Sequence, residues 1–375
     1  MKIKIKPISD QIGIGKRELR IALENPQRNR MIGRTISLEK ENGRYLLGMP
    51  VFEGIPYKGK SPVIIPVGQR ELASGVLRNT LSREAMTRTL KSEYQSIVKA
   101  LLDMKINFQI LNLQDGDKEI RHWLSERRCR GAELPLERPS PWQLFPRDMF
   151  VYFKPLRMIL IHSRLFKLQK DRSHICDIIH TELAEGGRVI FSDDHLVTSC
   201  HPEGLKKKNK IFSRLREKGM KMTILPHPIF TCLSRDGYGR SLSLYYEFHI
   251  DRSASLLKGR DEEYYLVLDP GYRTGTLIDP LAVQKSIDLV RKECERYRVH
   301  VRVPKSLSVP YATSAVQFDN GKVLATGGDE GALNTFADIV GSENLYVTDV
   351  PISAYPVFGA AGLHCLITEN PGPLI

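Results

Sequence analysis

The sequence predicts an α/β protein assembled from repeated strand–strand–helix–strand modules. Apolar residues recur at helical spacing in some stretches and alternate at strand spacing in the stretches that follow, and this succession occurs more than once. No Pro- or Ser-rich linker divides the chain, which favours one α/β domain over residues 1–375 rather than separate domains.

Residues 1–90 are the least readable part. Tyr45-Leu46-Leu47 and Val63-Ile64-Ile65-Pro66-Val67 are short apolar runs broken by Gly and Pro, as strands between turns would be. From Ser92 the pattern becomes regular. Ile97, Leu101 and Met104 mark a helix, and residues 106–110 alternate as a strand. Strands are predicted at 157–162, 188–191, 196–198, 222–225 and 264–268. Val283, Ile287, Val290, Cys294 and Tyr297 form an apolar stripe on a helix, followed at once by an alternating strand over 299–303. The same unit closes the chain. A hairpin joins 315–318 to 322–326 through Asp319-Asn320-Gly321, a helix carries Ala332, Phe336 and Val340, and a strand covers 345–348.

Composition narrows the functional classes. With 375 residues, 41% hydrophobic and 26% charged, the chain can bury a core without disulfide or metal staples. The opening MKIKIKPISD is basic, but no apolar h-region follows, so a secretory signal is not expected. No apolar run approaches the roughly 20 residues of a membrane helix, and a cytoplasmic location is expected. Six cysteines occur without CxxC pairs or zinc-finger spacing. They are expected as free thiols, most of them small buried hydrophobes, with Cys176 and Cys294 in helical patterns and Cys200 and Cys232 ending strands. No metal or organic cofactor is called for. The net charge of +13 is concentrated in Lys206-Lys207-Lys208, Lys210, Arg214, Arg216, Lys218 and Lys221. With Ile211, Phe212 and Leu215 among them, this reads as an amphipathic helix with a solvated basic face, or as an attractor for an anion. Nothing in the sequence matches a nucleic-acid-binding motif, so nucleic acid is not an expected partner. Oligomeric state stays open, and a homo-oligomer is compatible with the sequence.

Four short segments carry chemistry. Near the end, Gly359-Ala360-Ala361-Gly362-Leu363-His364-Cys365 brings a cysteine, after small residues that permit close approach of a substrate, onto an expected short strand. Phe145-Pro146-Arg147-Asp148 places an Arg and an Asp just before a strand. Glu185-Gly186-Gly187 precedes the strand at 188–191, and His249-Ile250-Asp251 follows an apolar run. If that last segment is extended, His249 and Asp251 point to one side. Each alone also fits a plainer description: a buried thiol, a solvated ion pair, a glycine helix cap, a polar histidine.

Taken in order, the four segments resemble the guanidino-group-modifying enzyme superfamily: arginine and agmatine deiminases, dimethylarginine hydrolases and glycine-type amidinotransferases. The likeness covers roughly 140–375, by motif and order rather than continuous similarity. It implies a pseudo-fivefold α/β propeller of ββαβ-type modules around a polar site, with residues 1–90 supplying the first module or an added N-terminal segment. It also implies a small guanidino substrate, with Cys365 as nucleophile. A guanidinium is a poor electrophile, so two carboxylates, Asp148 and Asp251, would fix its plane by charge-assisted hydrogen bonds. His249 would pass protons, oriented by Glu185, and Arg147, Arg188 and Arg252 are candidates, by position, for the far end of the substrate. Pro146-Arg147-Asp148 and His249-Ile250-Asp251 are more similar to amidinotransferases. Glu185-Gly186-Gly187, and Cys365 with Pro371 beyond it, are more similar to hydrolytic deiminases. Hydrolysis to a ureido product and ammonia is the leading expectation and amidino transfer to an amine the alternative. A third is a non-catalytic ribosome-binding propeller, as in a translation initiation factor that resembles the same fold.

Overall fold

The computed structural model describes residues 45–49, 63–66, 83–111, 113, 117–132, 146–161, 177–180, 186–199, 202–226, 229–236, 239–246, 250–272, 281–309, 311–352 and 363–369. They fall into two compact units. The smaller carries the described parts of Ile14–Pro56, Leu101–Gly186 and His364–Ile375, the larger those of Tyr57–Ala100 and Gly187–Leu363.

Along the chain run β1 (Tyr45–Gly48), β2 (Val63–Pro66), α1 (Arg83–Asp103), β3 (Phe108–Leu111), α2 (Lys118–Glu126) and β4 (Arg130–Ala132). A helical turn, α3 (Pro146–Met149), leads into β5 (Phe150–Phe153), β6 (Met158–Ile161) and β7 (Asp177–His180). Then come β8 (Val189–Ser192), β9 (His195–Ser199), α4 (Pro202–Glu217), β10 (Lys221–Leu225) and a long hairpin, β11 (Ile229–Asp236) with β12 (Gly239–Tyr246). β13 (Ala254–Lys258), β14 (Tyr264–Leu268), α5 (Leu281–Glu295), β15 (Val299–Arg302), β16 (Val316–Gln317), β17 (Val323–Ala325), α6 (Glu330–Val340) and β18 (Leu345–Val347) follow. A last helical turn, α7 (Leu363–Leu366), ends in β19 (Ile367–Glu369).

One pairing rule recurs five times among the described residues: a first strand antiparallel to a second, and the second parallel to a third. In the larger unit it gives β8–β9–β10, β13–β14–β15 and β16–β17–β18, with α4, α5 and α6 as the crossovers that parallel pairing requires. In the smaller unit it gives β5–β6–β7. The fifth is made from the two ends of the chain. β19 runs antiparallel to β1 (Leu46 opposite Thr368), and β1 is parallel to β3, with β4 added at the edge. Residues 45–48 therefore belong to a module. Residues 63–66 instead extend the β11–β12 hairpin, which lies outside the repeat.

Packing explains why the periodic stretches were readable. On α6, Ala332, Phe336, Ile339 and Val340 are buried against Leu257, Val267 and Ala325. Asp329 caps the helix by accepting from the Ala332 N–H at 2.9 Å, and Gly341 (φ 87°) ends it where a side chain would strain. Deleting the fully buried Phe336 ring would cost about 3–5 kcal/mol. On α5, Ile287, Val290 and Cys294 face Leu256, Leu266 and Leu268. Tyr297, the last member of the predicted stripe, falls beyond the helix end at Glu295 and is 38% exposed. α4 is helical as expected, with Phe212 and Leu215 buried and Lys210, Arg214 and Arg216 exposed. Cys232 lies in the middle of β11 rather than at a strand end, while Cys176 and Cys200 are outside the described residues. No helix among the described residues is long and apolar enough to cross a membrane.

Candidate active site

In the smaller unit, Pro146 opens the α3 turn, where its fixed φ suits the first helical position. Arg147 follows, 5% exposed, and Asp148 sits one residue later on the same turn. This turn packs against β5, β1 and β19. The strand pairing that joins the chain's ends thus carries α7, just upstream of β19, to the same corner. There His364 is 5% exposed and Cys365 fully buried. Across 217 positions of sequence, Nη1 of Arg147 donates to the His364 ring, closest at Nδ1 and 3.4 Å from Nε2. Burial, reinforced by the adjacent guanidinium, holds His364 well below the usual histidine range. A neutral imidazole is the form that can accept this N–H.

Cys365 lies on a helical turn immediately before a strand, not on the expected strand itself. Cys365 and Cys294 are both fully buried, but they differ in their neighbours: the residue before Cys365 receives the Arg147 guanidinium. Cys294 shows the contrast. It is a core thiol that burial, with Glu293 and Glu295 nearby, pushes up to about 12. That is the chemistry of an inert small hydrophobe.

The larger unit holds Asp251. Its segment is a 3-10 turn over Ile250–Arg252, and not the extended stretch expected. The alternation that would have put residues 249 and 251 on one side therefore does not apply. Asp251 is fully buried, with Arg252 and Ser253 nearly so. The turn is pinned by Ser253 N–H to Ile250 O at 2.9 Å and by Asp269 N–H to Ser253 O at 2.7 Å. Two residues on, Ser255 donates to Thr313 O at 2.6 Å and accepts from Ala315 N–H at 2.7 Å. These bonds fasten the buried loop from Tyr311, itself at φ 58°, to β13.

Arg147, Asp148 and Cys365 thus share the smaller unit, and Asp251 lies in the larger. His249 and Glu185 are outside the described residues, although Gly186–Arg188, just after Glu185, forms a 3-10 turn leading into β8. The contact of His364 with Arg147 was not foreseen. The place of this histidine beside Cys365 was visible, but its partner 217 positions away was not. Among the described residues no group of three or more His, Cys, Asp or Glu side chains is placed to hold a metal ion.

No family model matches the chain, and no curated protein sequence matches it significantly. Several solved structures are similar to it. One is an agmatine deiminase from C. jejuni, 13% identical with a TM-score of 0.49 over 90% of this chain and 95% of that one. Another is the N-terminal domain of an arginine dihydrolase from cyanobacteria, 12% identical with a TM-score of 0.46 over 88% and 97%. A third is a dimethylarginine dimethylaminohydrolase, 10% identical with a TM-score of 0.41 over 88% and 100%. All three belong to the guanidino-modifying superfamily that the sequence motifs resemble.

Proposed function

We propose that the chain hydrolyses a guanidino compound to a ureido product and ammonia through a covalent intermediate on Cys365. The observation that carries this reading is the corner where Cys365 adjoins the buried Arg147–His364 contact, with Asp148 on the same turn as Arg147. A thiol near a permanent cation has the electrostatics of a nucleophile, whereas a core thiol such as Cys294 does not.

In this reading the Cys365 thiolate attacks the guanidinium carbon, forming a C–S bond, and the tetrahedral adduct expels one nitrogen. His249 supplies the proton that lets it leave as ammonia. The S-alkylthiouronium that remains is attacked by water, which gives a proton back to His249. The C–S bond then breaks, releasing the ureido product and restoring the thiolate. Glu185 orients His249. Asp148 and Asp251 accept the substrate's N–H groups and balance its charge. The reading requires these five residues to meet at one substrate, with the five modules as blades of a closed pseudo-fivefold α/β propeller.

The test is turnover in oxygen-18 water, with arginine, agmatine, methylated arginines and acylated arginines offered singly. One labelled oxygen in the ureido product, and ammonia released with no acceptor added, is the expected result. Unlabelled product, with turnover only when an amine is supplied, would replace hydrolysis by amidino transfer. Absence of any turnover across the panel would overturn the enzymatic reading.

A further inference from the structure

We propose that Arg147 is a positioning residue for Cys365, acting through His364 to hold the α7 turn in place and to favour the thiolate. The inference rests on the reading of Cys365 as nucleophile and gives Arg147 a task other than gripping the far end of the substrate. Three features support it. Arg147 is 5% exposed and its Nη1 is directed at the His364 ring. His364 precedes Cys365 directly and is itself 5% exposed, so the guanidinium is held beside the residue adjoining the thiol. The ring, with one nitrogen accepting from Arg147, cannot also take up a proton there without losing that bond.

The burial of His364 and the charge beside it work in the same direction, keeping the imidazole neutral. The positive charge at this corner therefore sits on the guanidinium, which does not titrate in the accessible range. A fixed cation in a buried setting favours an anion nearby far more than it would in water. The other charged or titratable residues on the elements against α3 are Asp148 on α3 itself, Glu369 on β19, Tyr45 on β1 and Tyr152 on β5. A carboxylate close to the thiol would oppose thiolate formation, and the guanidinium is the group at this corner that can offset one.

The experiment titrates the thiolate absorbance near 240 nm in the full-length protein. Each variant is measured against the same variant carrying Cys365→Ala, so that the difference reports Cys365 alone and needs no reagent to enter the site. The wild-type midpoint is expected below the ~8.5 of an ordinary thiol. Arg147→Gln should raise it by about one pH unit or more, and Arg147→Lys, which keeps the charge, should restore most of the shift. His364→Asn, which keeps the cation but loosens its seat, should raise it by a smaller amount. An unmoved midpoint in folded Arg147→Gln, or equal shifts in the Gln and Lys variants, would overturn the electrostatic role. If Arg147→Gln does not fold, His364→Asn decides, and there an unmoved midpoint sinks the proposal. Ammonia release is followed alongside. A shifted titration in a protein that never acts on a guanidino compound keeps this inference and removes the hydrolase reading. Ammonia release with an unmoved titration does the reverse.

Discussion

His195 in the larger unit and His364 in the smaller are both buried, and in both burial favours the neutral ring. They differ in what touches them. His195 opens β9, with Nε2 3.0 Å from Oγ1 of Thr223 and its ring 5.2 Å from that of Tyr264 and 6.2 Å from that of Tyr297. Those neighbours are uncharged. His364 instead receives a guanidinium and stands next to a cysteine. Burial is the largest influence on the charge state of both rings, while the partner decides what the neutral ring is for. A hydroxyl closes a hydrogen-bond requirement, whereas a fixed cation also imposes a field on whatever lies beside it.

The sharpest way to break this contrast uses the two regions' cysteines. Cys365→Ala should abolish ammonia release while thermal unfolding shows an intact fold. Cys294→Ala should retain full turnover and lose roughly 1–2 kcal/mol of stability, because it only removes a buried sulfur from the α5 core. Full activity in Cys365→Ala would end the nucleophile assignment. Next in size are the carboxylates, Asp148 in the smaller unit and Asp251 in the larger. Asp148→Asn and Asp251→Asn should each weaken kcat/KM by roughly 3–5 kcal/mol, because each would leave one side of a buried cation without its counter-charge. A loss in only one of the two, read by steady-state kinetics, would show that a single carboxylate binds the substrate.

The modules that sequence made legible are those whose helices bury a clean apolar stripe. Val283 to Cys294 and Ala332 to Val340 were readable because 3.6-residue periodicity and burial coincide there. The pairing of β19 with β1 was not, since no local signal reports which strands meet across the length of a chain. Local conformation at the site was misjudged in two places. Residues 250–252 and 363–366 are single helical turns, and an isolated turn of three or four residues leaves no periodicity to detect. The contact of His364 with Arg147 escaped for a related reason: a residue known only through a distant partner looks, in sequence, like any neighbour of a cysteine.

A smaller effect separates the histidines by pH. Burial lowers His195 to about 4 against the usual 6.5; Asp194 opposes the shift and Lys221 assists it, while Tyr264 and Tyr297 face the ring uncharged. Protonation would put a hydrogen on Nδ1, which has no hydrogen-bond partner among the described residues. Because the folded value lies below the unfolded one, the unfolded chain binds the extra proton between them. The contribution is therefore whole above pH 6.5 and is lost as pH falls toward 4, by roughly 2–3 kcal/mol. Urea unfolding at pH 7 and pH 4.5 measures it. His195→Gln should flatten that dependence, leaving the part due to His364, which has the same sign. An unchanged slope in the variant would mean that His195 is not the group responsible.

The smallest change tests whether the His195 region is only structural. β9 and β10 are parallel, with His195 opposite Lys221 and Val197 opposite Thr223. Residues 221 and 223 share a face of β10, so Thr223 reaches back toward His195 on the same side of the sheet. Its hydroxyl both donates and accepts, and so satisfies Nε2 in either tautomer. Thr223→Val keeps the shape and deletes only that bond, leaving one buried ring nitrogen unsatisfied. The expected cost is about 1–2 kcal/mol, seen as a lower urea midpoint at unchanged m-value. Ammonia release should stay at the wild-type rate, since Thr223 is not among the residues assigned to the chemistry. If turnover falls while the urea midpoint holds, the neutral histidine of the larger unit also serves the reaction, and the division between a structural histidine and a working one is wrong.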